Sequence, residues 1–263
     1  MSLPPELAAC ARLVEEGDPL RFAATMAAPV AARARLWPLY ALNLELARAA
    51  YASNEPMICE MRLQWWLDQL AALGSGGRAE GDVATALAPL IGPDGECAPA
   101  LLPLLTRMAE ARRREIWREP FADKATLFTH LDETAAGLMW GAALLLGAAP
   151  AAEVSVRQFG CAAGLASWLR AVPALKEHGH QPLPDPAPEA LADLAREGVQ
   201  AIRSARTARH LLAAAAQPAL WPGWQAGTVL SHIAATGRLP ANEPPHPARQ
   251  AFALTLRRLT GYW

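Results

Sequence analysis

The side chains best suited to chemistry form a polar row in the segment EPMICEMRLQWWLDQL. Glu60, Gln64 and Asp68 are spaced i, i+4 and i+8, so a helix would place all three on one face. Carboxylate and amide oxygens are the ligands that Mg²⁺ takes in proteins. The row has two interpretations: a polar cavity wall in which Glu60 and Asp68 help to hold Mg²⁺, or an ordinary solvated helix face.

Two further groups carry titratable side chains close together. His178 and His180 flank Gly179, but no third ligand is near in the sequence and a zinc site takes three or four, so we expect no metal there. Asp132 and Glu133 could form an inward acidic pair, or could lie near a helix start, where the helix dipole favours acidic residues.

Several common catalytic classes have no support in the sequence. It contains no G-x-S-x-G, no glycine-rich phosphate loop and no H-E-x-x-H. Cys10, Cys59, Cys97 and Cys161 are widely spaced without a C-x-x-C pair, which predicts reduced thiols rather than a disulfide framework or a zinc site. The formal net charge of −1 provides no general basic field, so we expect no nucleic-acid partner.

Helices must position these residues. Hydrophobic residues make up 52% of the chain, largely Ala and Leu, whereas aromatic residues make up 6%. Ala and Leu are strong helix formers, and the β-branched and aromatic residues that a sheet favours are sparse. The composition predicts an all-α fold. No loop resembles a domain linker, so we predict one helical domain over residues 1–263.

Turn residues divide the chain into predicted helices. Pro56 would lie in a first helical turn, where its missing N–H costs nothing, and Asp123 is a predicted N-cap. The predicted helices cover residues 4–16, 19–28, 31–52, 55–73, 83–91, 100–118, 123–146, 151–176, 191–216 and 247–260, with a turn or short helix within 220–236.

Two segments bear on membranes. The uncharged stretch over residues 134–152 nearly reaches membrane-spanning length, but its modest hydrophobicity, its glycines and Pro150 favour a buried central helix. In the C-terminal segment PARQAFALTLRRLTGYW, Phe252, Leu256 and Leu259 would lie near one helix face. That pattern suits an interfacial helix or a packed terminal helix. The first 18 residues contain no apolar run typical of a signal peptide.

Four segments resemble, in order, the squalene/phytoene synthase family, all-α enzymes that join two prenyl diphosphates head to head. The segments DPLRFAATMAAPVAARARLWPLYALN and EPMICEMRLQWWLDQL are similar to the family's opening and to its Trp-bearing helix. LDETAAGLMWGAALLLGA resembles its small-residue helix, and FGCAAGLASWLRAVPALKEHGHQPLP the segment through its second motif. The similarity covers residues 18–184. It implies an isoprenoid-synthase-type helical bundle around a central cavity.

The family's activity depends on two aspartate-rich motifs that hold Mg²⁺ against a diphosphate. In an ungapped matching, the first motif's positions hold Ala47, Arg48 and Tyr51, and the second motif's positions hold Arg170, Ala171 and Leu175. Methyl groups and a phenol cannot replace anionic oxygens. The resemblance with these departures implies a protein that has lost the metal-dependent chemistry.

Within the family, N-L-E-L-A-R, S-N-E-P-M and M-R-L-Q-W-W resemble one branch in particular. That branch includes the phytoene-synthase-like assembly factor of mitochondrial respiratory complex I and its bacterial relatives, which are regarded as having the synthase fold without its activity. The resemblance implies a role in membrane-complex biogenesis, with a protein of a membrane complex as partner. The reduced thiols and the N-terminal sequence predict a cytoplasmic location, and the C-terminal segment would allow peripheral contact with the inner membrane.

Two hypotheses of different classes follow. In the first, the protein is non-catalytic, needs no cofactor, and binds a protein partner or an isoprenoid or lipid-like ligand. Its candidate ligand-binding residues are Arg48, Tyr51, Gln64 and Arg170. The two arginines would meet an anionic head group without metal, or are ordinary ion-paired surface residues. The cavity would persist because small residues allow close packing, namely Ala135, Gly137, Ala142 and Gly147.

In the second hypothesis, the protein is a prenyltransferase that condenses prenyl diphosphates with a divergent Mg²⁺ site. Glu60 and Asp68 are its candidate metal ligands, with Asp132 and Glu133 as further acidic candidates. A third alternative is a degenerate fold that binds no ligand.

Overall fold

The computed structural model of the chain describes residues 3–240 and 245–263. Within these residues the chain is helical, without a β-strand, as the composition predicts. The α-helices of the described part are α1 (Pro5–Gly17), α2 (Pro19–Ala27), α3 (Val30–Ala49), α4 (Pro56–Gly74), α5 (Gly81–Ile91), α6 (Ala98–Ala111), α7 (Arg113–Ile116), α8 (Lys124–Leu131), α9 (Gly137–Leu145), α10 (Glu153–Glu177), α11 (Pro188–Thr207), α12 (Ala226–Thr236) and α13 (Pro247–Thr260).

Two helix starts follow the predicted turn chemistry. Pro56 lies in the first turn of α4. The Asp123 side chain caps α8 by accepting a hydrogen bond from the Thr126 main-chain N–H at 2.8 Å. These local signals confirm the predicted boundaries of both helices to within a few residues.

Two predicted helices are interrupted. The helix predicted over residues 100–118 breaks at Arg112, which ends α6 and precedes the short α7. The helix predicted over 191–216 ends at Thr207, and a 3₁₀ segment over Ala214–Gly223 follows. Pro218 and Pro222 lie inside that segment and have no N–H for α-helical hydrogen bonds, which disfavours an α-helix there.

The uncharged stretch over residues 134–152 forms a buried helix in its first part, as predicted, whereas the part after Leu145 is a largely exposed turn. Every residue of α9 except Leu144 is buried. Among the described residues, no helix combines the length and apolar character needed to cross a bilayer. One hydrophobic cluster extends from Cys10 to Trp263 and includes residues of α9.

A wide helical turn joins α8 to α9. Residues Asp132–Ala136 form a π-helical segment, against which α10 packs. A Cβ atom added to Gly160 would lie 2.7 Å from the Ala136 Cα, and one added to Gly164 would overlap the Ala135 Cβ. Small residues on both sides therefore set the approach of α10. Gly147, predicted to have the same packing role, instead forms the turn after α9, with φ of 84°.

The C-terminal helix packs through residues other than the predicted stripe. Leu254 and Trp263 are buried, and the Trp263 ring meets the Phe159 ring edge-on with centroids 5.0 Å apart. Phe252, Leu256 and Leu259 remain exposed. The terminal segment is thus packed, yet it retains an exposed apolar face.

The cysteines are free thiols, as predicted. Cys10 and Cys59 are buried, whereas Cys97 and Cys161 are partly buried. Burial raises the pKa of Cys10 and of Cys161 to about 12, with Asp82 adding to the shift at Cys10 and Asp132 at Cys161. These two thiols are therefore protonated near neutral pH and poor nucleophiles.

Candidate functional site

A central cavity of about 260 Å³ lies where α2, α3, α8, the π-helical segment, α10 and the 3₁₀ segment meet. Much of its wall is apolar, including Leu138 and Met139. Its polar lining side chains are Arg21, Tyr40, Asn43, Arg112, His130, Thr134, Ser167 and Trp168. Within the described part of the chain, no carboxylate lines this cavity.

Arg21 is held in place by the residue that caps its helix. Asp18 accepts hydrogen bonds from the Arg21 main-chain N–H at 3.0 Å and from its Nε at 2.8 Å. These contacts place the guanidinium over the Tyr40 ring, 5.0 Å from the ring centroid. The arrangement is a cation–π contact at the cavity wall.

The Tyr40 hydroxyl is buried and has no hydrogen-bond partner among the described residues. Burial raises the pKa of Tyr40 to about 12, with Asp18 adding to the shift and Arg21 opposing it. The phenol is therefore neutral at physiological pH and can donate a hydrogen bond. Leaving a buried hydroxyl unpaired costs free energy.

Arg112 belongs to a buried network beside the cavity. Its Nη1 lies 2.6 Å from the Glu115 Oε1, and its Nη2 donates to the Asn43 Oδ1 at 3.3 Å. The His130 Nε2 lies 3.3 Å from the same Glu115 oxygen. Burial alone would raise the pKa of Glu115, but Arg112 and His130 outweigh it and lower the pKa to about 2. Glu115 is thus ionised and holds the Arg112 side chain by a hydrogen bond.

An aromatic cluster closes the side of the cavity next to His130. The Trp168 ring lies 5.4 Å from the His130 ring and 5.8 Å from the Phe121 ring, both edge-on. Trp168 Nε1 donates to the Pro182 carbonyl oxygen at 2.7 Å, which ties the proline-rich segment after α10 to the cavity wall. The cavity therefore combines an apolar aromatic side with a basic side.

The sequence model of the family described as squalene/phytoene synthase matches residues 14–220. The chain belongs to the squalene/phytoene synthase family. The resemblance stated from the sequence is thereby confirmed at the level of the family.

Solved structures place the family's fold on the whole chain. The chain is similar to a dehydrosqualene synthase crystallised in complex with a ligand, at a TM-score of 0.81 and 16% identity over 98% of this chain and 97% of that one. It is also similar to squalene synthase HpnC from Alicyclobacillus acidocaldarius, at a TM-score of 0.71 and 14% identity over 89% and 95%. These likenesses show the isoprenoid-synthase fold. No curated protein matches the chain.

One position matched to the family's motifs lines the central cavity. Ala171, matched to the first aspartate of the second motif, presents a methyl group to it. Arg170, beside it, lies in a separate small pocket and donates from Nη1 to the Gln225 Oε1 at 3.1 Å. Among the described residues, no group of three or more His, Cys, Asp or Glu side chains is arranged to hold a metal ion.

The other predicted ligand-binding residues lie outside the central cavity. Arg48 is exposed, and its guanidinium lies near Gly17 at the end of α1. Tyr51 lines a second pocket beside His178 and His180, with its ring centroid 5.6 Å from that of His180. The structure therefore does not bring Arg48, Tyr51, Gln64 and Arg170 together, and their ligand role stays a prediction.

The polar row of α4 meets a basic residue of α7. Glu60 Oε1 lies 2.8 Å from the Arg113 Nε, and Gln64 accepts from the Arg113 Nη2 at 2.9 Å and donates to Asp68 at 2.9 Å. The row thus has protein partners and does not line the central cavity. Its proposed role as a Mg²⁺ site stays a prediction.

Asp132 and Glu133 lie in the π-helical segment in the middle of a continuous helical run, so the prediction of a helix start was wrong. Asp132 pairs with Arg157 of α10, and Glu133 lines an outer pocket with Arg113 and Arg114. A helix dipole therefore does not account for these acids. An ion pair accounts for Asp132.

Sequence reasoning did not identify the polar residues of the central cavity. Tyr40 and Asn43 are three residues apart in LYALN, a spacing that predicts a shared helix face. No local pattern distinguishes Arg112 from Arg113 and Arg114. The break between α6 and α7 turns Arg112 towards the cavity, and that break depends on tertiary packing.

Proposed function

We propose that this family member is a non-catalytic binding protein that holds one lipid-like ligand in the central cavity. The ligand has an anionic head group, and the protein binds it without Mg²⁺. The observation that carries this proposal is the cavity wall. Arg21, Arg112 and the neutral Tyr40 phenol face an otherwise largely apolar cavity whose described lining includes no carboxylate.

The chemistry of these donors favours direct capture of an anion. A magnesium site needs several oxygen ligands, commonly carboxylates. Guanidinium groups bind phosphate and carboxylate oxygens directly, often through two parallel hydrogen bonds.

The size of the cavity supports one ligand rather than a pair of substrates. Its volume of about 260 Å³ lies just below the range of about 300–1,000 Å³ typical of small-molecule sites. Head-to-head condensation needs two prenyl chains side by side. A methyl group at Ala171, where the family's second motif would place an aspartate, agrees with binding that does not depend on a metal.

Isothermal titration with farnesyl diphosphate tests the proposal. We expect the same affinity in the presence of Mg²⁺ and in the presence of EDTA. The Arg21→Gln variant should bind about tenfold or more weakly, because it loses a charge-assisted hydrogen bond. Arg62→Gln is the matched control, since Arg62 is an exposed arginine that pairs with Glu45 outside the central cavity, and the affinity of this variant should be unchanged.

The competing function is a prenyltransferase with a divergent metal site, and the same reagents address it. Binding that requires Mg²⁺ would contradict the metal-free proposal. So would a prenyl product formed from radiolabelled farnesyl diphosphate and lost on Glu60→Ala or Asp68→Ala. Neither variant should alter binding if the central cavity acts as proposed.

A role in assembling respiratory complex I is a separate proposal, supported by the resemblance of N-L-E-L-A-R, S-N-E-P-M and M-R-L-Q-W-W to one branch of the family. Deleting the gene in its host should reduce assembled complex I on native gels. Rescue by wild type and failure of rescue by Arg21→Gln would link assembly to the cavity, whereas normal complex in the deletion strain would end this proposal.

A further inference from the structure

A second basic pocket is lined by residues of α11, α12 and α13 and adjoins the central cavity at Gly223. This pocket, with a volume of about 400 Å³, is referred to below as the arginine pocket. Its polar lining side chains are Arg203 and Arg206 of α11, Thr228 and Ser231 of α12, and Arg257 of α13. No carboxylate lies among its described lining residues.

The three arginines that line this pocket place like charges close together. Arg203 and Arg206 are three residues apart on α11 and share its face. Burial lowers the pKa of Arg257, and the nearby charge of Arg206 lowers it further, which indicates that the positive charges are incompletely compensated. Within the described chain, none of the three is paired with an acidic side chain.

The existing contacts orient two of these arginines. Arg206 Nε donates to the main-chain oxygen of Trp263 at 2.6 Å, and its guanidinium lies 4.7 Å from the Tyr262 ring centroid. Arg257 donates from Nη2 to the Trp224 carbonyl oxygen at 3.1 Å. The buried Nε of Arg257 has no partner among the described residues. Both side chains are therefore fixed in position and retain donors.

The start of α12 adds main-chain donors to the same pocket. Gly227 and Thr228 lie in its first turn and line the pocket, and α12 has no side-chain N-cap hydrogen bond. The first N–H groups of a helix have no partner within the helix, and the helix dipole favours an anion there. A Cβ atom added to Gly227 would meet nothing within 4 Å, so the space before this turn is open.

We infer that the arginine pocket is a binding site for a phosphate group. Three arginines, two hydroxyl-bearing residues and the first turn of α12 line it, and a phosphate oxygen accepts hydrogen bonds from guanidinium, hydroxyl and main-chain N–H groups. The phosphate could belong to a soluble phosphate ester or to a phospholipid head group. Phe252, Leu256 and Leu259 of α13 are exposed, and Arg257 of the same helix lines the pocket. A membrane in contact with these three apolar side chains would therefore lie near the pocket, which makes the phospholipid source testable. The site does not depend on the function proposed for the central cavity.

Thermal unfolding of the full chain in inorganic phosphate tests the inference, with potassium chloride at equal ionic strength as the reference. We expect phosphate to raise the unfolding midpoint above the chloride value. Arg203→Gln should weaken phosphate binding about tenfold or more, and Arg203→Lys should restore part of it. Arg203 is exposed, so its replacement should leave the fold intact.

Arg196→Gln is the matched control, because Arg196 is an exposed arginine of the same helix that pairs with Asp193 outside the pocket. This variant should respond to phosphate like the wild type. An equal response of Arg203→Gln would overturn the inference, as would a midpoint in phosphate no higher than in chloride.

Vesicle flotation distinguishes the two sources of phosphate. Flotation with phosphatidylcholine vesicles that contain phosphatidic acid, reduced by Arg203→Gln and by Phe252→Ser/Leu259→Ser, would identify a lipid head group. Binding of inorganic phosphate and glycerol 3-phosphate without flotation would identify a soluble ester. Flotation unchanged in Arg203→Gln, in a protein that does not respond to soluble phosphate, would place lipid contact elsewhere and reject the site.

Discussion

Glu115 is the acidic residue next to two side chains that line the central cavity, Arg112 and His130. It is 6% exposed, and it holds Arg112 and His130 through the same carboxylate oxygen. Removing one partner of a buried ion pair leaves an uncompensated charge, which costs far more than losing a surface pair. The position of Arg112 at the cavity, and therefore the basic character of the wall, depends on this carboxylate.

We predict that Glu115→Gln lowers the free energy of unfolding at neutral pH by about 3 kcal/mol. The pKa of Glu115 falls from an ordinary value of 4.5 to about 2 in the folded protein. Its stabilising contribution is therefore fully present above pH 4.5 and is lost as the pH falls from 4.5 towards 2. Urea unfolding of wild type and variant at a series of pH values measures both effects.

Glu119→Gln provides the control for this prediction. The Glu119 carboxylate is 55% exposed and lies 3.7 Å from the Arg114 Nη2, so its replacement should change stability by less than about 0.5 kcal/mol. The difference in stability between wild type and Glu115→Gln should shrink below pH 4.5. A constant difference across that range would show that Glu115 does not act through its charge.

At this scale the sequence identified charged candidates but not their partners. Glu60 and Asp68 do share a helix face, as their spacing predicts, yet one oxygen of Glu60 pairs with Arg113 and one oxygen of Asp68 accepts from Gln64. Arg113 comes from a short helix that no local pattern separates from α6. Tertiary packing decides which side chains of two different helices come into contact. Residue spacing within one helix does not predict these contacts.

At the scale of elements, the approach of α10 to the π-helical segment shapes the central cavity. Gly160 and Gly164 of α10 line the cavity and also face Ala136 and Ala135. The contact at Gly160 is with the main chain of Ala136, which cannot move aside as a flexible side chain could. Tight packing and an open cavity on one helix face depend on the absence of these two side chains.

We predict that Gly160→Ala lowers the free energy of unfolding by about 1–3 kcal/mol, because the added methyl group forces α10 away from Ala136. Gly227→Ala is the helical control, since its methyl group meets nothing within 4 Å. That variant should be neutral or more stable by up to about 1 kcal/mol. Urea unfolding of the two variants measures these changes in stability. Equal losses of stability would show that contact with the Ala136 main chain is not the cause.

Helix identity was largely predictable from the sequence, because Ala, Leu and the positions of proline act locally. The bounds of α13 agree with the predicted residues 247–260. Its packing was less predictable, since the stripe of Phe252, Leu256 and Leu259 is exposed while Leu254 and Trp263 are buried. The buried ring of Trp263 lies beyond the end of the helix, where helical periodicity gives no information.

At the scale of the whole molecule, the hydrophobic core joins the two ends of the described chain. Cys10 and Val14 of α1 belong to the same cluster as Leu254 of α13 and Trp263. The central and arginine pockets share Gly223, and Phe159, which lines the arginine pocket, packs against Trp263. A change at the C-terminal segment should therefore be felt throughout the bundle.

We predict that heating unfolds the chain in one cooperative transition, with equal calorimetric and van't Hoff enthalpies, because a contiguous core does not separate into independent units. Trp263→Ala should lower the free energy of unfolding by about 3–5 kcal/mol while keeping one transition, since it removes a buried ring that packs against Phe159. Differential scanning calorimetry measures both. If Trp263→Ala instead produced a separate early transition, α11 to α13 would form their own unit, and the prediction of one helical domain over residues 1–263 would be wrong.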